Sequence, residues 1–394
     1  MSNSQVPSDR ETRQFISGKR TILVVSPQRW DHLKLSKHHY AEELARLGNQ
    51  VYFLNPFTRL GCPGRIRIRK SGIKNLHIID QQFLLPLRLF DIQGSFAQLL
   101  LKRRLVDLAK VVGGKFDISW NFDNSSGAFM DQTILPAKYR IFQPVDRIDR
   151  TAAALSEPDL LISVAENILD DYDTPKEKKL LVPHAIGIEF LNFARNCLGS
   201  DAAKRDGKGR IQVGYVGNLE IPALDRTTLQ RLVRNFPEIQ FHFIGPFDEN
   251  PTLDKSSWLN FCRTAPNALL HGLRTPIEIL EYAKQIDVWL VCYDRQRDRN
   301  SASNCHKITE YLATGSVVVS SRIDAFAGRG DLLTMAKDGT SDSFLEAFAD
   351  AVQDLSYLNS QTLQDARLRF AISRSCREVL QQIQRKIESI TAIE

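Results

Sequence analysis

The 394-residue chain contains no CxxC pair, no HExxH and no Walker-type P-loop, and no GxGxxG follows either of the two strand-like runs that open its halves. Each absence removes a class of chemistry. Zinc ribbons, zinc hydrolases, P-loop nucleotide hydrolysis and the usual nicotinamide fingerprint are all excluded at the level of motif. Six cysteines (Cys62, Cys197, Cys262, Cys292, Cys305, Cys376) stand singly, so a disulfide framework is not expected and a reducing cytoplasm fits best. The leader MSNSQVPSDRETRQFISGKR has no apolar core of the kind a secretory signal needs. Apolar runs such as 99–101 and 317–319 fall far short of the roughly 20 residues that span a bilayer. Membrane contact is therefore expected to be peripheral at most. The net charge of +6 is spread along the chain with no aromatic-interleaved basic motif, which argues against nucleic acid as a partner and suits a phosphate-bearing ligand or an anionic lipid surface.

What is present is ordinary for a folded protein, with 43% hydrophobic and 25% charged residues. At about 150 residues per domain, the length calls for two cores. Residues 21–26 (TILVVS) read as a buried parallel strand, followed by a loop, a helix ending near Gly48 and a second strand at 51–54. The segment 61–70 (GCPGRIRIRK) alternates cations with isoleucine and predicts a strand with a basic face. A helix after Gly94 carries leucines with interspersed Lys and Arg, which fits both a core-packed helix with snorkelling cations and a membrane-surface helix. Strand-like runs recur at 116–122, 139–143, 160–164 and 179–182. The polar, small-residue stretch 196–210 reads as an interdomain linker. Beyond it the alternation restarts, with strands at 211–216, 239–244, 268–270, 288–291 and 317–320. Thr275, Pro276 and Glu278 supply N-cap, first-turn and capping-box signals for one helix, and Val379, Ile383, Ile387 and Ile390 stripe another at the C-terminus.

The segment 300–321 concentrates the chemistry. Ser303 or Asn304 can cap a helix whose first turns carry Lys307 and Glu310 on one face, directly after a strand, at the sheet edge where open α/β sheets bind ligands. A helix N-terminus beside a lysine suits a diphosphate, and a carboxylate one turn deeper suits the two vicinal hydroxyls of a ribose. The same spacing also fits an ordinary exposed ion pair. Asp171-Tyr172-Asp173 has the Asp-x-Asp spacing of a metal pair but lies at the polar end of a helix, where solvated carboxylates are the simpler reading. His38 and His39, beside Lys37, fit either an acceptor- or diphosphate-facing position or a solvated first helical turn.

Residues 306–320, HKITEYLATGSVVVS, resemble the donor-site signature of GT-B glycosyltransferases: a Lys, then Glu-Tyr-Leu-Ala, then Gly and a Val-rich strand. YVGNLEIPALDRTTLQRLVRNFPEIQFHFIGP and NALLHGLRTPIEILEYAKQIDVWLVCYD are similar to the preceding parts of that donor domain, so the likeness covers most of 211–321. WDHLKLSKHHYAEELARLGNQVYFLNP, DLLISVAENILDDY and VPHAIGIEF resemble the opening and close of the acceptor domain. The resemblance implies an α/β fold of two Rossmann-like domains facing each other across a cleft, with a C-terminal helix crossing back to the first. It places a polar leader at 1–20, the acceptor domain at 21–195, the linker at 196–210, the nucleotide-sugar domain at 211–365 and the returning segment at 366–394. By position it implies that Lys307 contacts the donor phosphates, Glu310 the ribose, and Gly217 and Asn218 the diphosphate from the opposite side, with Asn304 and His306 flanking the helix start. His184 stands where relatives have Asn-Gly or His-Gly before an acidic residue, here His-Ala-Ile-Gly-Ile-Glu.

Two departures bear on mechanism. Retaining relatives carry a second Glu where this chain has Ala302, and an Arg and a Lys after the first donor strand where it reads Gly217-Asn218-Leu219-Glu220. A closer analogy is the inverting glucuronosyltransferase of xanthan synthesis, and YRIFQPVDRID places Asp146 as base, with Asp149 as the alternative. Beside Arg147 and Arg150 such an Asp also fits an ion pair or helix cap. Inversion needs a carboxylate on the acceptor side and the departing diphosphate on the other. The expectation is thus a metal-independent, cofactor-free transferase that uses a nucleotide-sugar donor (UDP by family frequency). Its acceptor is a glycan or lipid-linked glycan, in bacterial surface polysaccharide or glycolipid synthesis at the inner face of the plasma membrane. The competing expectations are a catalytically silent sugar-nucleotide-binding partner of an assembly complex, and a nucleotide-sugar epimerase or hydrolase; product analysis with and without acceptor separates them.

Overall fold

The computed structural model describes residues 18–31, 34–57, 66–81, 96–124, 129–146, 157–200, 209–248, 253–297 and 306–391. The chain divides into two compact units, Met1–Pro183 with Cys376–Glu394, and His184–Ser375.

The first unit runs β1 (Thr21–Val25), α1 (Ser36–Arg46), β2 (Gln50–Leu54), β3 (Ile66–Lys70), β4 (Leu76–Gln81), α2 (Phe96–Val111), β5 (Phe116–Asn121), β6 (Ala137–Phe142), β7 (Leu160–Ser163), α3 (Glu166–Asp170) and β8 (Lys179–Leu181). The strands lie in the order β3-β4-β2-β1-β5-β6-β7-β8, parallel throughout except for the antiparallel edge pair β3/β4. Central strands such as β1 are apolar at nearly every position because both faces are covered. From β1 the chain builds outward through β2, and later through β5 on the other side, so the order reverses between β1 and β5. Helix α1 is terminated just before Gly48, whose φ of +94° is one a residue with a side chain rarely adopts. Its Tyr40 stacks on Trp120 of β5 at 4.9 Å, fixing the helix over the sheet.

Of the strand expected at 61–70, residues 61–65 lie outside the described residues. Strand β3 spans Ile66–Lys70, and on its basic face Arg69 is held by Asp80 (2.8 Å) and Asp31 (2.5 Å). Helix α2 turns Leu101, Leu105, Leu108 and Ala109 into the core beneath β1, β2 and β4, which is the core-packed reading for one of its faces.

The second unit runs α4 (Ile188–Cys197), β9 (Gln212–Val216), α5 (Arg226–Asn235), β10 (Gln240–Ile244), α6 (Leu253–Thr264), β11 (Ala268–Gly272), α7 (Pro276–Ala283), β12 (Val288–Val291), α8 (His306–Leu312), β13 (Val317–Ser320), β14 (Thr334–Met335), α9 (Ser341–Gln353), α10 (Leu355–Leu358) and α11 (Gln361–Ile372). Its parallel sheet is ordered β11-β10-β9-β12-β13-β14, with the reversal between β9 and β12. Helix α7 has the capping box expected of Thr275 and Glu278, with Pro276 in its first turn. The chain then returns to the first unit as α12 (Cys376–Thr391), which packs on α1 and brings Arg377 within 3.5 Å of Glu43.

The unit borders differ from the sequence reading. The chain changes unit between Pro183 and His184 and again between Ser375 and Cys376, not at 196–210 and 366. The reason is burial: α4 sinks Phe190, Leu191, Ala194 and Cys197 into a core shared with Ile308 and Leu312 of α8 and Leu368 and Ala371 of α11. The Gly199 amide also donates to Asp365 Oδ1. Residues 201–208 of the expected linker lie outside the described residues.

Candidate functional site

In the second unit the sequence-predicted donor residues gather at the carboxyl edge of β9 and β12, where the strand order reverses and open α/β sheets bind ligands. Strand β9 ends at Val216, and both backbone groups of that residue are held by the Tyr311 hydroxyl, which accepts from its N–H at 2.8 Å and donates to its carbonyl at 3.2 Å. Tyr311 is fixed in turn by stacking on Trp289, 4.8 Å between ring centres. Next comes Gly217, with φ +154° and its N–H donated to Ile244 O. A Cβ there would run into the Lys307 ammonium and meet the Tyr215 hydroxyl at 2.8 Å, so glycine is what lets Lys307 lie against the loop. Gly245, at φ +150°, is needed for the same kind of reason, because its own Cβ would strike the Gly217 carbonyl. Asn218 is exposed, and its Oδ1 accepts from the Glu220 amide at 2.8 Å, so this side chain shapes the turn.

Lys307, in the first turn of α8, donates to the Tyr293 hydroxyl at 3.0 Å and lies 5.2 and 5.6 Å from the ring centres of Tyr215 and Tyr293. These contacts hold the ammonium at the sheet edge. Glu310, half-buried one turn on, has its pKa pushed up to about 7, chiefly by burial and further by the Glu189 carboxylate, against the pull of Lys307. His184 and His306 meet edge to face, 5.8 Å between centres, so the His-Ala-Ile-Gly-Ile-Glu segment belongs with the donor residues. Asn304 lies outside the described residues, as do Ala302, Ser303 and Cys305.

The first unit carries Asp146, exposed on the loop that follows β6 at the carboxyl edge of that sheet. Asn124, on the loop after β5, donates its Nδ2 to the Asp146 carbonyl at 2.8 Å, tying the two loops together. Asp149 lies outside the described residues with Arg147 and Arg150. Neither reading of His38 holds. It is fully buried, its Nδ1 accepts from the Leu35 amide, its Nε2 faces the Arg29 carbonyl at 3.1 Å, and burial pushes its pKa down to about 4. It is a neutral helix cap stacked on Phe53. His39 is buried as well and not part of a solvated turn. Asp171 and Asp173 flank Tyr172, which is buried against Phe142 beyond the end of α3. Among the described residues no three His, Cys, Asp or Glu side chains are grouped as metal ligands.

Sequence reasoning did not find Tyr215, Tyr293 or Glu189. Tyr293 could have been reached, since it stands two residues past β12 at the strand-order reversal; Tyr215 and Glu189 come to Lys307 and Glu310 only through the fold.

No protein-family model matches the chain, and no curated protein matches it in sequence. Solved structures do match in shape. A glycosyltransferase from Rickettsia africae is 11% identical, with 95% of this chain and 99% of that one aligned at a TM-score of 0.65. Sucrose-phosphate synthase from Thermosynechococcus elongatus is 12% identical over 95% and 100% of the two chains, TM-score 0.66. Anabaena Alr3699/HepE, solved in complex with UDP and glucose, is 13% identical over 94% and 100%, TM-score 0.63. At such identities the likeness is one of architecture, and together with the two α/β units built on largely parallel sheets it gives this chain the GT-B fold.

Proposed function

We propose that the protein is a glycosyltransferase that moves a sugar from a nucleoside diphosphate donor, a UDP-sugar, to a hydroxyl of a glycan or lipid-linked glycan in bacterial surface polysaccharide or glycolipid synthesis. The observation that carries this reading is the convergence of Lys307, Gly217 and Glu310 at the strand-order reversal of the second unit. A glycine loop, a fixed ammonium and a carboxylate one helical turn away match a diphosphate followed by a ribose in chemistry and order. Two structural neighbours support the base: the Anabaena protein was solved with UDP and glucose, and an E. coli one with UDP-2-fluoro glucose.

The transfer proceeds with inversion. The acceptor oxygen bonds to the anomeric carbon as the bond to the diphosphate oxygen breaks, the electron pair leaves on the diphosphate, and the hydroxyl proton passes to the Asp146 carboxylate. Lys307 meets the charge that develops on the diphosphate, so this reading calls for no metal. The acceptor side works at a lipid surface. Helix α2 leaves Phe96, Leu99, Val106 and Val111 exposed beside Lys102 and Arg103, with Lys110 paired to Asp107 at 3.1 Å, a mixture of apolar and cationic side chains that fits an anionic leaflet.

A thermal-shift screen of nucleotides and nucleotide sugars tests the donor, because a ligand bound only by the folded state raises the midpoint by mass action. UDP and a UDP-sugar are expected to raise it while AMP does not. No shift with any nucleoside diphosphate would end the donor reading, and epimerised or hydrolysed donor as the main product would replace transfer.

A further inference from the structure

We propose that the Tyr311 hydroxyl is a positioning group for the nucleotide: it clamps the helix that carries Lys307 and Glu310 to the strand that leads into Gly217, and so sets the gap that receives the diphosphate. The inference rests on the second unit being the donor side, and it adds to that side a residue that acts through others.

The clamp stands where the sheet comes apart. Strand β9 pairs with β10 along its whole length, from Gln212 to Val216, but with β12 only at Val213 and Gly214. Strand β12 stays paired with β13 through Val291, so past Gly214 it is β9 that loses a neighbour on one side. The Gly217 N–H still reaches Ile244 of β10, whereas the N–H and C=O of Val216 face the split. Backbone groups at a half-buried position need partners, because leaving them unpaired is costly. One hydroxyl serves both: Tyr311 Oη accepts from the Val216 N–H at 2.8 Å and donates to its carbonyl at 3.2 Å.

The rest of Tyr311 is fixed by β12. Its buried ring stacks on Trp289, 4.8 Å between centres and 7° between planes. Trp289 lies across β9 at Gly214, where a Cβ would run into the indole ring. The indole N–H donates to Thr314 Oγ1 at 3.0 Å, and that hydroxyl donates to the Tyr311 carbonyl at 2.6 Å. Four residues before Tyr311, on the same face of α8, is Lys307, whose ammonium lies against Gly217, the residue after Val216. Helix and strand end are thus tied at two adjacent points. The lysine stem is flexible and can follow the loop if it moves, whereas the packed ring cannot, so the spacing is set by Tyr311. A gap set in advance spares the nucleotide the cost of ordering it on binding.

Tyr311→Phe keeps the ring and its stacking and removes the clamp. Calorimetry on the full-length protein, at a temperature where every variant is folded, is expected to show Tyr311→Phe binding UDP about tenfold more weakly. Amide exchange is expected to be faster at Val216. Val233→Ala, which trims a buried side chain of α5 in the core on the opposite face of the sheet, separates positioning from stability: it should lower the urea midpoint and leave UDP affinity unchanged. Added to Lys307→Ala, Tyr311→Phe should cost less than it does alone, because one of the groups it positions is already gone. The inference is overturned if Tyr311→Phe exchanges no faster at Val216, if Val233→Ala loses as much affinity, or if the two losses multiply in full in the double variant. Equal UDP affinity in Tyr311→Phe and the unaltered protein would remove the clamp and leave the donor reading standing; no UDP binding by the unaltered protein would end both.

Discussion

Gly217 shows how much of the proposed donor site rests on a missing side chain. Its φ of +154° is one that residues with a Cβ rarely adopt, and the Cβ would occupy the place of the Lys307 ammonium. Gly217→Ala is therefore expected to weaken UDP binding tenfold or more by calorimetry, at a cost of about 1–3 kcal/mol in stability. Unchanged affinity would mean that Lys307 does not need its present position. Glu310 makes a prediction about pH. Its folded pKa, about 7, is raised above the ordinary carboxyl value of 4.5, so its contribution to stability is full below that value and is lost as pH rises through 7. Ribose hydroxyls donate to the ionised form, so UDP affinity should strengthen between pH 6 and pH 8, by up to about tenfold per unit below 7. Glu310→Gln should flatten both dependences; a titration that keeps its slope in the variant removes Glu310 from the ribose. The sequence placed Lys307 and Glu310 on one helical face correctly, since that depends only on spacing. It could not place Tyr215 or Glu189 beside them, because those contacts join segments that only the sheet brings together.

Elements were legible where burial on both faces, or a cap, writes itself into a short stretch. The VWLV of β12 and the VVVS of β13 are unbroken because nothing but core surrounds them, and the capping box of α7 is complete in four residues. Helix α4 was assigned to the wrong unit for a physical reason. An apolar stripe of Phe190, Leu191, Ala194 and Cys197 says that one face is buried but not against which core. The same limit applies to α12, whose Val379, Leu380, Ile383 and Ile387 are buried in the first unit although the chain arrives from the second. Removing part of that face, as in Ile383→Ala, is expected to cost about 2–5 kcal/mol and to lower the urea midpoint of the first unit. A midpoint like that of the unaltered protein would mean α12 is not part of that core. On α2 the inner leucines are committed to the core, and the outer face makes a separate prediction. Sedimentation with phosphatidylglycerol vesicles should exceed that with phosphatidylcholine vesicles and fall with added salt. Replacing Lys102 and Arg103 by Glu should abolish the difference; equal binding of both vesicle types by the unaltered protein would remove the lipid surface from the proposal.

At the scale of the molecule, each unit repeats one device, a largely parallel sheet whose strand order reverses, with charged side chains grouped at the carboxyl edge of the reversal. The second unit presents Lys307 against a glycine loop with Glu310 one turn on, the group proposed for the donor, and the first carries Asp146, the proposed base, on the loop after β6. An overall charge of +6 says nothing of where these side chains gather, which is why composition alone pointed no further than an anionic partner. The division predicts that binding and chemistry separate by mutation. Asp146→Asn removes the proposed proton acceptor while leaving the second unit untouched, so it should reduce transfer by at least a hundredfold and keep the UDP-induced thermal shift of the unaltered protein. Lys307→Ala should do the reverse at the binding step, shrinking the UDP shift and raising the donor KM, because its ammonium is held at the glycine loop by the Tyr293 hydroxyl and the rings of Tyr215 and Tyr293. If Asp146→Asn transferred at the rate of the unaltered protein, the base would have to be sought elsewhere in the first unit. If it lost UDP binding as well, the assignment of donor and acceptor to separate units would fail, since a residue of the first unit would then be needed to hold the donor.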